Sequence, residues 1–152
     1  MKTALGYGKA AAGFVAGSGK AFSGPVSVFI EPTNICNLRC PLCASGAGTL
    51  DRPAGSMPLD DFKRIIDMLP DSVAELYLWG QGEPFLAADF LDMVAYASRK
   101  GYRTNVSTNG HFLEKPDAVI ESGLDRLIIS LDGADADTYN AYRVGGNFNR
   151  VT

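Results

Sequence analysis

The three cysteines of this chain, Cys36, Cys40 and Cys43, all fall within eight consecutive residues, Cys36-Asn37-Leu38-Arg39-Cys40-Pro41-Leu42-Cys43. A buried structural cysteine packs as a small hydrophobe, and packing gives it no reason to recur at gaps of three and two residues. Three thiolates this close in sequence can converge on one soft metal centre. Their odd number argues against a closed disulfide framework. A zinc site wants a fourth ligand, and the only histidine, His111, stands far along the chain. Iron–sulfur clusters use short cysteine spacings of this kind, normally with a fourth thiolate. With three ligands, one iron keeps a position open to an outside ligand, by the logic of a catalytic zinc site. Two readings stand at this point: an iron–sulfur centre with an open position, and a three-cysteine zinc site completed by His111.

The cysteine loop needs elements to hold it. Residues 26–30 are a short β-rich run behind Gly24-Pro25, which predicts a first strand. Glu31-Pro32-Thr33-Asn34 ends it and the cysteines follow directly, at the strand edge where α/β sheets and barrels place ligands. Residues 44–57, rich in Gly, Ala, Ser and Pro, read as a long loop. Pro58 then opens a helix with Leu59, Phe62, Ile65, Ile66 and Leu69 at helical spacing and acids Asp60 and Asp61 in its first turn. A second strand is predicted over 74–79, ended by Gly80-Gln81-Gly82-Glu83-Pro84, and a second helix over 88–100 with Gly101 as its cap. A third strand over 103–107 stops at Thr108-Asn109-Gly110, before a short helix over 116–122. The fourth, 126–131, is the most apolar and is expected to be buried on both faces. Asp132-Gly133 ends it, and a last helix from Asp135 carries Tyr139, Tyr142 and Arg143.

This alternation predicts an α/β fold with about four parallel strands joined by right-handed crossovers. An eight-stranded barrel needs about 250 residues, so the expected form is an open, partial (β/α) barrel. The chain of 152 residues, 46% hydrophobic and 20% charged, suits one globular domain. A net charge of −3 without any run of lysine or arginine gives no nucleic-acid-binding surface. No stretch reaches the length of a membrane span. Residues 1–25 are expected to be a loosely helical, cytoplasmic N-terminal extension, with the core domain over 26–152. The apolar part of that extension is too short and glycine-broken for a secretory leader headed by Met1, and Lys20 follows it. Gly17-Ser18-Gly19-Lys20 is no phosphate loop: Phe14 stands where the first glycine belongs, and Ala21 where a Ser or Thr should follow the lysine.

The Cys-x3-Cys-x2-Cys spacing resembles that of the radical S-adenosylmethionine (radical SAM) enzymes, and the resemblance extends from about Ile30 to the C-terminus. Gln81-Gly82-Glu83-Pro84 is similar to the family's Gly-Gly-Glu-Pro segment, with Gln81 in place of the first glycine. Ser107-Thr108-Asn109-Gly110 matches the segment after the third strand, and Ser130-Leu131-Asp132-Gly133 the one after the fourth. The resemblance implies the N-terminal part of a radical SAM (β/α)6 domain in which Cys36, Cys40 and Cys43 ligate a 4Fe-4S cluster and SAM chelates its open iron. It further implies cofactor contacts at Leu42, Gln81, Gly82, Glu83, Pro84, Ser107, Asn109, Ser130 and Arg143, with Ser130 and Arg143 holding the SAM carboxylate. A planar guanidinium with paired donors suits that carboxylate. Leu42 stands where many members carry an aromatic residue near adenine.

With Glu31-Pro32-Thr33 and Tyr139-x2-Tyr142-Arg143-x-Gly145-Gly146, the order of elements looks most like the SPASM-type branch. Its members imply an electron donor such as flavodoxin or ferredoxin, a peptide or small-molecule substrate, and reductive cleavage of SAM to a 5′-deoxyadenosyl radical. Members have six strands, so the sequence is expected to be a fragment of a longer protein. A colourless zinc-binding module and an inactive cluster-binding fragment remain the competing classes.

Overall fold

A computed structural model describes residues 2–20, 22 and 24–152; Met1 and Ala21, which entered the leader and phosphate-loop readings, lie outside the described residues. Helix α1 (Lys2–Val15) is followed by β1 (Ser27–Phe29), α2 (Leu59–Met68), β2 (Glu75–Tyr77), α3 (Phe90–Arg99), β3 (Arg103–Thr108), α4 (Pro116–Glu121), β4 (Arg126–Ile129), α5 (Ala136–Tyr142) and α6 (Phe148–Val151). One turn of 3-10 helix, Pro84–Leu86, leads into α3. The strands form a single sheet in the order β1-β2-β3-β4, every pair parallel. This is the open βα arrangement that the alternating pattern predicts.

Strand periodicity divides the sheet into two faces. Leu76 and Val106 point to the face covered by α2 and α3, where Phe62, Ile66, Phe90, Met93, Val94 and Ala97 complete a fully buried core. The opposite face carries Phe29 and Tyr77, stacked at 4.6 Å, with Trp79 edge-on to both. Helix α3 ends where expected: Gly101 takes φ +83, a conformation that costs a Cβ-bearing residue, and Tyr102 N–H then closes on Ala97 O at 3.2 Å.

One expectation needs correction. The fourth strand is not buried on both faces: Leu127, Ile128 and Ile129 are 38%, 41% and 44% exposed. β4 is the edge of the sheet, and α4 packs on α3 instead of covering it. An apolar run reports what a strand can bury and carries no information on whether a neighbour is there. The loop over 44–57 is long, as expected, but it is strapped down. The Asn34 side chain donates to Pro53 O at 2.8 Å and accepts from Gly55 N at 2.7 Å, and Met57 N donates to Pro32 O at 2.8 Å. The segment thus doubles back onto the stretch that leads into the cysteines.

Candidate metal centre

The C-terminal ends of the four strands surround one cleft. Cys36, Cys40 and Cys43 form one wall, Gln81, Gly82 and Glu83 a second, and Ser107, Asn109, Ser130 and Arg143 the remainder. Ten of the expected site residues are therefore brought together from four separate strand ends, and two are not. Leu42 is 86% exposed and lies outside the cleft. Pro84 is buried at the first position of the 3-10 turn, where its ring sets the turn rather than the cleft wall. Trp79 and Tyr142 also line the cleft and were not singled out as site residues. For Trp79 the signal was present: it sits two residues beyond Tyr77, on the same face of a strand whose alternate residues face the helices.

The surroundings of the three sulfurs differ. Cys36 Sγ receives Leu38 N–H at 3.4 Å and has Asn109 Nδ2 at 4.0 Å. Cys40 Sγ lies 3.9 Å from Arg143 Nη1. Cys43 Sγ faces acceptors, Gln81 O at 3.8 Å and Gln81 Oε1 at 3.7 Å, toward which its thiol donates. Burial pushes the Cys36 thiol up, against the pull of the Leu38 amide. Among the described residues no three His, Cys, Asp or Glu side chains are already gathered at metal-holding distance. The donor set nonetheless fits an iron–sulfur cluster: three free thiols on one wall, two of them with N–H donors directed at sulfur. It fits zinc less well, because His111 is engaged elsewhere. Its Nδ1 lies 3.2 Å from Asn109 O and 3.0 Å from Asn109 Oδ1, and its Nε2 accepts Asn147 N–H at 2.9 Å.

The Glu83 side chain is tied into the fold. It is 2% exposed, and its carboxylate accepts from Thr108 Oγ1 at 2.6 Å, Asn109 N at 2.7 Å and Phe85 N at 3.3 Å. The side chain ties the end of β2 to the end of β3. Asn109 continues the tie, donating from Nδ2 to Asn37 Oδ1 in the cysteine loop at 2.8 Å. Gly82 is needed where it stands: a Cβ there would meet Thr33 O and come within 2.8 Å of both the Asn34 carbonyl carbon and Ile35 O. The glutamine at 81 brings no backbone strain, since Asp132 is the sole non-glycine residue with positive φ among those described.

On the far side, Ser107 Oγ and Ser130 Oγ lie 3.0 Å apart, across the β3 and β4 ends. Arg143 closes the cleft at the end of α5, with Nη2 paired to Asp132. Burial alone would lower the Arg143 value, but the Asp132 charge and the nearby Cys40 sulfur outweigh it and hold the guanidinium firmly charged. Its Nε is buried without a hydrogen-bond partner among the described residues, as is the Tyr139 hydroxyl. A buried orphan donor on a cleft-lining arginine suits an incoming carboxylate.

The parallel βα sheet thus combines, at its strand ends, a three-thiol loop, a glycine turn and a half-buried arginine. The chain belongs to the radical SAM superfamily, which matches residues 30–152. It is similar to an AdoMet-dependent heme synthase of Nitratidesulfovibrio vulgaris, 35% identical over 115 residues that make up 74% of this chain and 31% of that protein. It is also similar to a PqqA peptide cyclase of Rhodopseudomonas palustris, 32% identical over 130 residues, 84% of this chain and 33% of that protein. These relatives agree with the SPASM-type branch expected from the motif order. The chain spans about a third of their length. Among solved structures, Streptococcus suis SuiB bound to S-adenosylmethionine matches with a TM-score of 0.65 at 22% identity, over 78% of this chain and 28% of that one. That likeness establishes the partial-barrel fold.

Proposed function

We propose that this chain forms the cluster-binding and much of the SAM-binding part of a radical SAM enzyme. The observation that carries the reading is the convergence of Cys36, Cys40 and Cys43 with Gln81-Gly82, Ser107, Ser130 and Arg143 on one cleft. A 4Fe-4S cluster held there would supply the electron for reductive cleavage of S-adenosylmethionine to methionine and a 5′-deoxyadenosyl radical that takes hydrogen from the substrate. The protein's own share is ligation, orientation and exclusion of solvent. The three thiols, once deprotonated, provide soft ligands; the Leu38 amide and the Arg143 guanidinium offset their charge. Arg143, with a free buried Nε, and the Ser107–Ser130 pair offer donors to a carboxylate, while the carbonyl side of the Gln81-Gly82 turn offers acceptors to an ammonium group. Glu83 and Asn109 line the cleft and also fix the strand ends through their side chains, Pro84 sets the turn beside them, and Leu42 lies on the loop's solvent face.

The PqqA peptide cyclase relatives, together with the fold shared with SuiB bound to the SuiA peptide, favour a peptide or protein substrate. A one-electron carrier such as flavodoxin or ferredoxin would supply the reducing electron, in the cytoplasm. The engagement of both His111 nitrogens by Asn109 and Asn147 counts against a zinc module.

The test is anaerobic reconstitution. The wild type should be brown, carry iron and sulfide, and bind SAM, with Cys40→Ala losing iron and SAM cleavage together. A Cys40→Ala protein that kept its full iron content and cleaved SAM would sink the reading, as would a colourless zinc-loaded wild type.

A further inference from the structure

The only histidine of the chain is buried, lies off the metal cleft, and has both ring nitrogens occupied. Nε2 accepts the Asn147 amide proton at 2.9 Å, so in the neutral ring Nδ1 carries the hydrogen. That hydrogen is directed at Asn109, whose carbonyl and side-chain oxygens lie 3.2 Å and 3.0 Å away. His111 therefore stands as a fixed bridge between two segments 36 residues apart: the end of β3 on one side and the turn after α5 on the other.

What hangs on that turn is Arg143. Between Arg143 and Asn147 the chain makes a compact bend: Gly146 N–H closes on Arg143 O at 2.8 Å and Val144 N–H on Tyr142 O at 3.0 Å. The bend is held from one side by the cysteine loop, where Arg39 N–H donates to Val144 O at 2.8 Å. It is packed from below by Tyr139: a Cβ at Gly146 would come within 2.6 Å of the Tyr139 hydroxyl oxygen. On the remaining side it is held by His111. Asn147 is also the cap of α6, its side chain accepting Arg150 N–H at 3.2 Å, so the tether reaches past the turn into the last helix.

We propose that His111 is a positioning residue for SAM binding. Its Nε2–Asn147 bond locks the 143–147 bend and so holds the Arg143 guanidinium at the cleft wall, where the SAM carboxylate would bind. The inference rests on the reading of Arg143 as that receptor. Removing the imidazole leaves Asn147 N–H without its partner and frees the bend to drift, while the cysteine wall keeps its own anchors at Asn37 and Asn34.

The experiment measures SAM affinity by equilibrium dialysis on the reconstituted protein, for wild type, His111→Ala, His111→Gln, Arg143→Ala and the two His111 changes each combined with Arg143→Ala. Iron content and amide hydrogen exchange over 143–148 are recorded alongside. The expected result is a roughly tenfold weaker Kd for His111→Ala, with iron content kept and faster exchange confined to the bend. His111→Gln, whose side-chain oxygen can accept the Asn147 proton, should recover most of the affinity. In the Arg143→Ala background His111→Ala should cost nothing further, as expected of residues acting as one unit. Wild-type affinity in His111→Ala overturns the proposal. So does a loss that adds to that of Arg143→Ala, or one that comes with loss of iron or fails to recover with glutamine, because each marks a general structural role. If Arg143→Ala alone leaves affinity unchanged, it is the carboxylate-receptor reading that falls.

Discussion

Asn109 Nδ2 donates to Asn37 Oδ1 at 2.8 Å, so the end of the third strand grips the loop that carries the cysteines after the first. The same residue gives its backbone N–H to buried Glu83 at 2.7 Å. In Asn109→Leu the bond to Asn37 is lost, as are those that the His111 amide and ring make to Asn109 Oδ1, while the backbone tie to Glu83 survives. A cost of about 1–3 kcal/mol follows, read as a lowering of Tm by roughly 2–4 °C for each kcal/mol in a chain of this size. Iron release to a chelator should quicken in the reconstituted variant.

Glu83 should shape the acid–base dependence of stability. Burial raises its carboxyl above the ordinary 4.5, against the pull of the Asn109, Thr108 and Phe85 donors. The folded chain thus holds this proton more tightly than the unfolded chain. The stability it contributes is fully present below the ordinary value and is lost as pH rises from there through the raised folded value. Urea unfolding of the metal-free chain across that window should show wild type losing stability relative to Glu83→Gln as pH increases. Wild type gaining stability relative to Glu83→Gln as pH rises would contradict the burial argument.

The two glycines around Gln81 should respond differently to alanine. At Gly80 a new Cβ would meet the Glu31 side chain, with Cγ at 2.7 Å and Cδ at 2.8 Å, and that flexible side chain can swing away at the cost of its 2.5 Å pairing with Arg52 and its 2.8 Å bond from Gln81 N–H. At Gly82 it would meet main chain on the approach to Cys36, which cannot yield without moving the loop. Gly82→Ala should cost about 1–3 kcal/mol in chemical denaturation and lower the iron bound on reconstitution. Gly80→Ala should cost less than half of that and retain iron.

The open edge should govern association. Leu127, Ile128 and Ile129 are exposed on a strand whose outer side has no partner among the described residues. Such edges pair with other edges. The 152-residue chain should therefore show concentration-dependent oligomers by light scattering, and Leu127→Lys with Ile129→Lys should shift it toward monomer without altering its far-UV circular dichroism.

Much of this was legible in the sequence, because it was local. The cysteine spacing, the helix starts at Pro58 and Asp135 and the stop at Gly101 each depend on a few neighbouring residues. The four strand positions came from β-rich runs between turn residues, and the segments after them identified most of the cleft. The remainder depended on residues distant in sequence. β4 reads as a buried strand, and only the sheet order makes it an edge. Glu83 reads as one residue of a turn motif, and only the approach of Thr108 and Asn109 gives its side chain partners. His111 reads as a spare ligand until Asn109 and Asn147 claim both its nitrogens.

The tie from Glu83 through Asn109 to Asn37 has a bearing on biogenesis. It closes only when units starting at β1, β2 and β3 have all docked, since its bonds span 26 and 72 residues of sequence. Contacts of such separation form late, after the loops between them have been closed. A newly made chain would therefore expose three loose thiols first and acquire an ordered cysteine wall last.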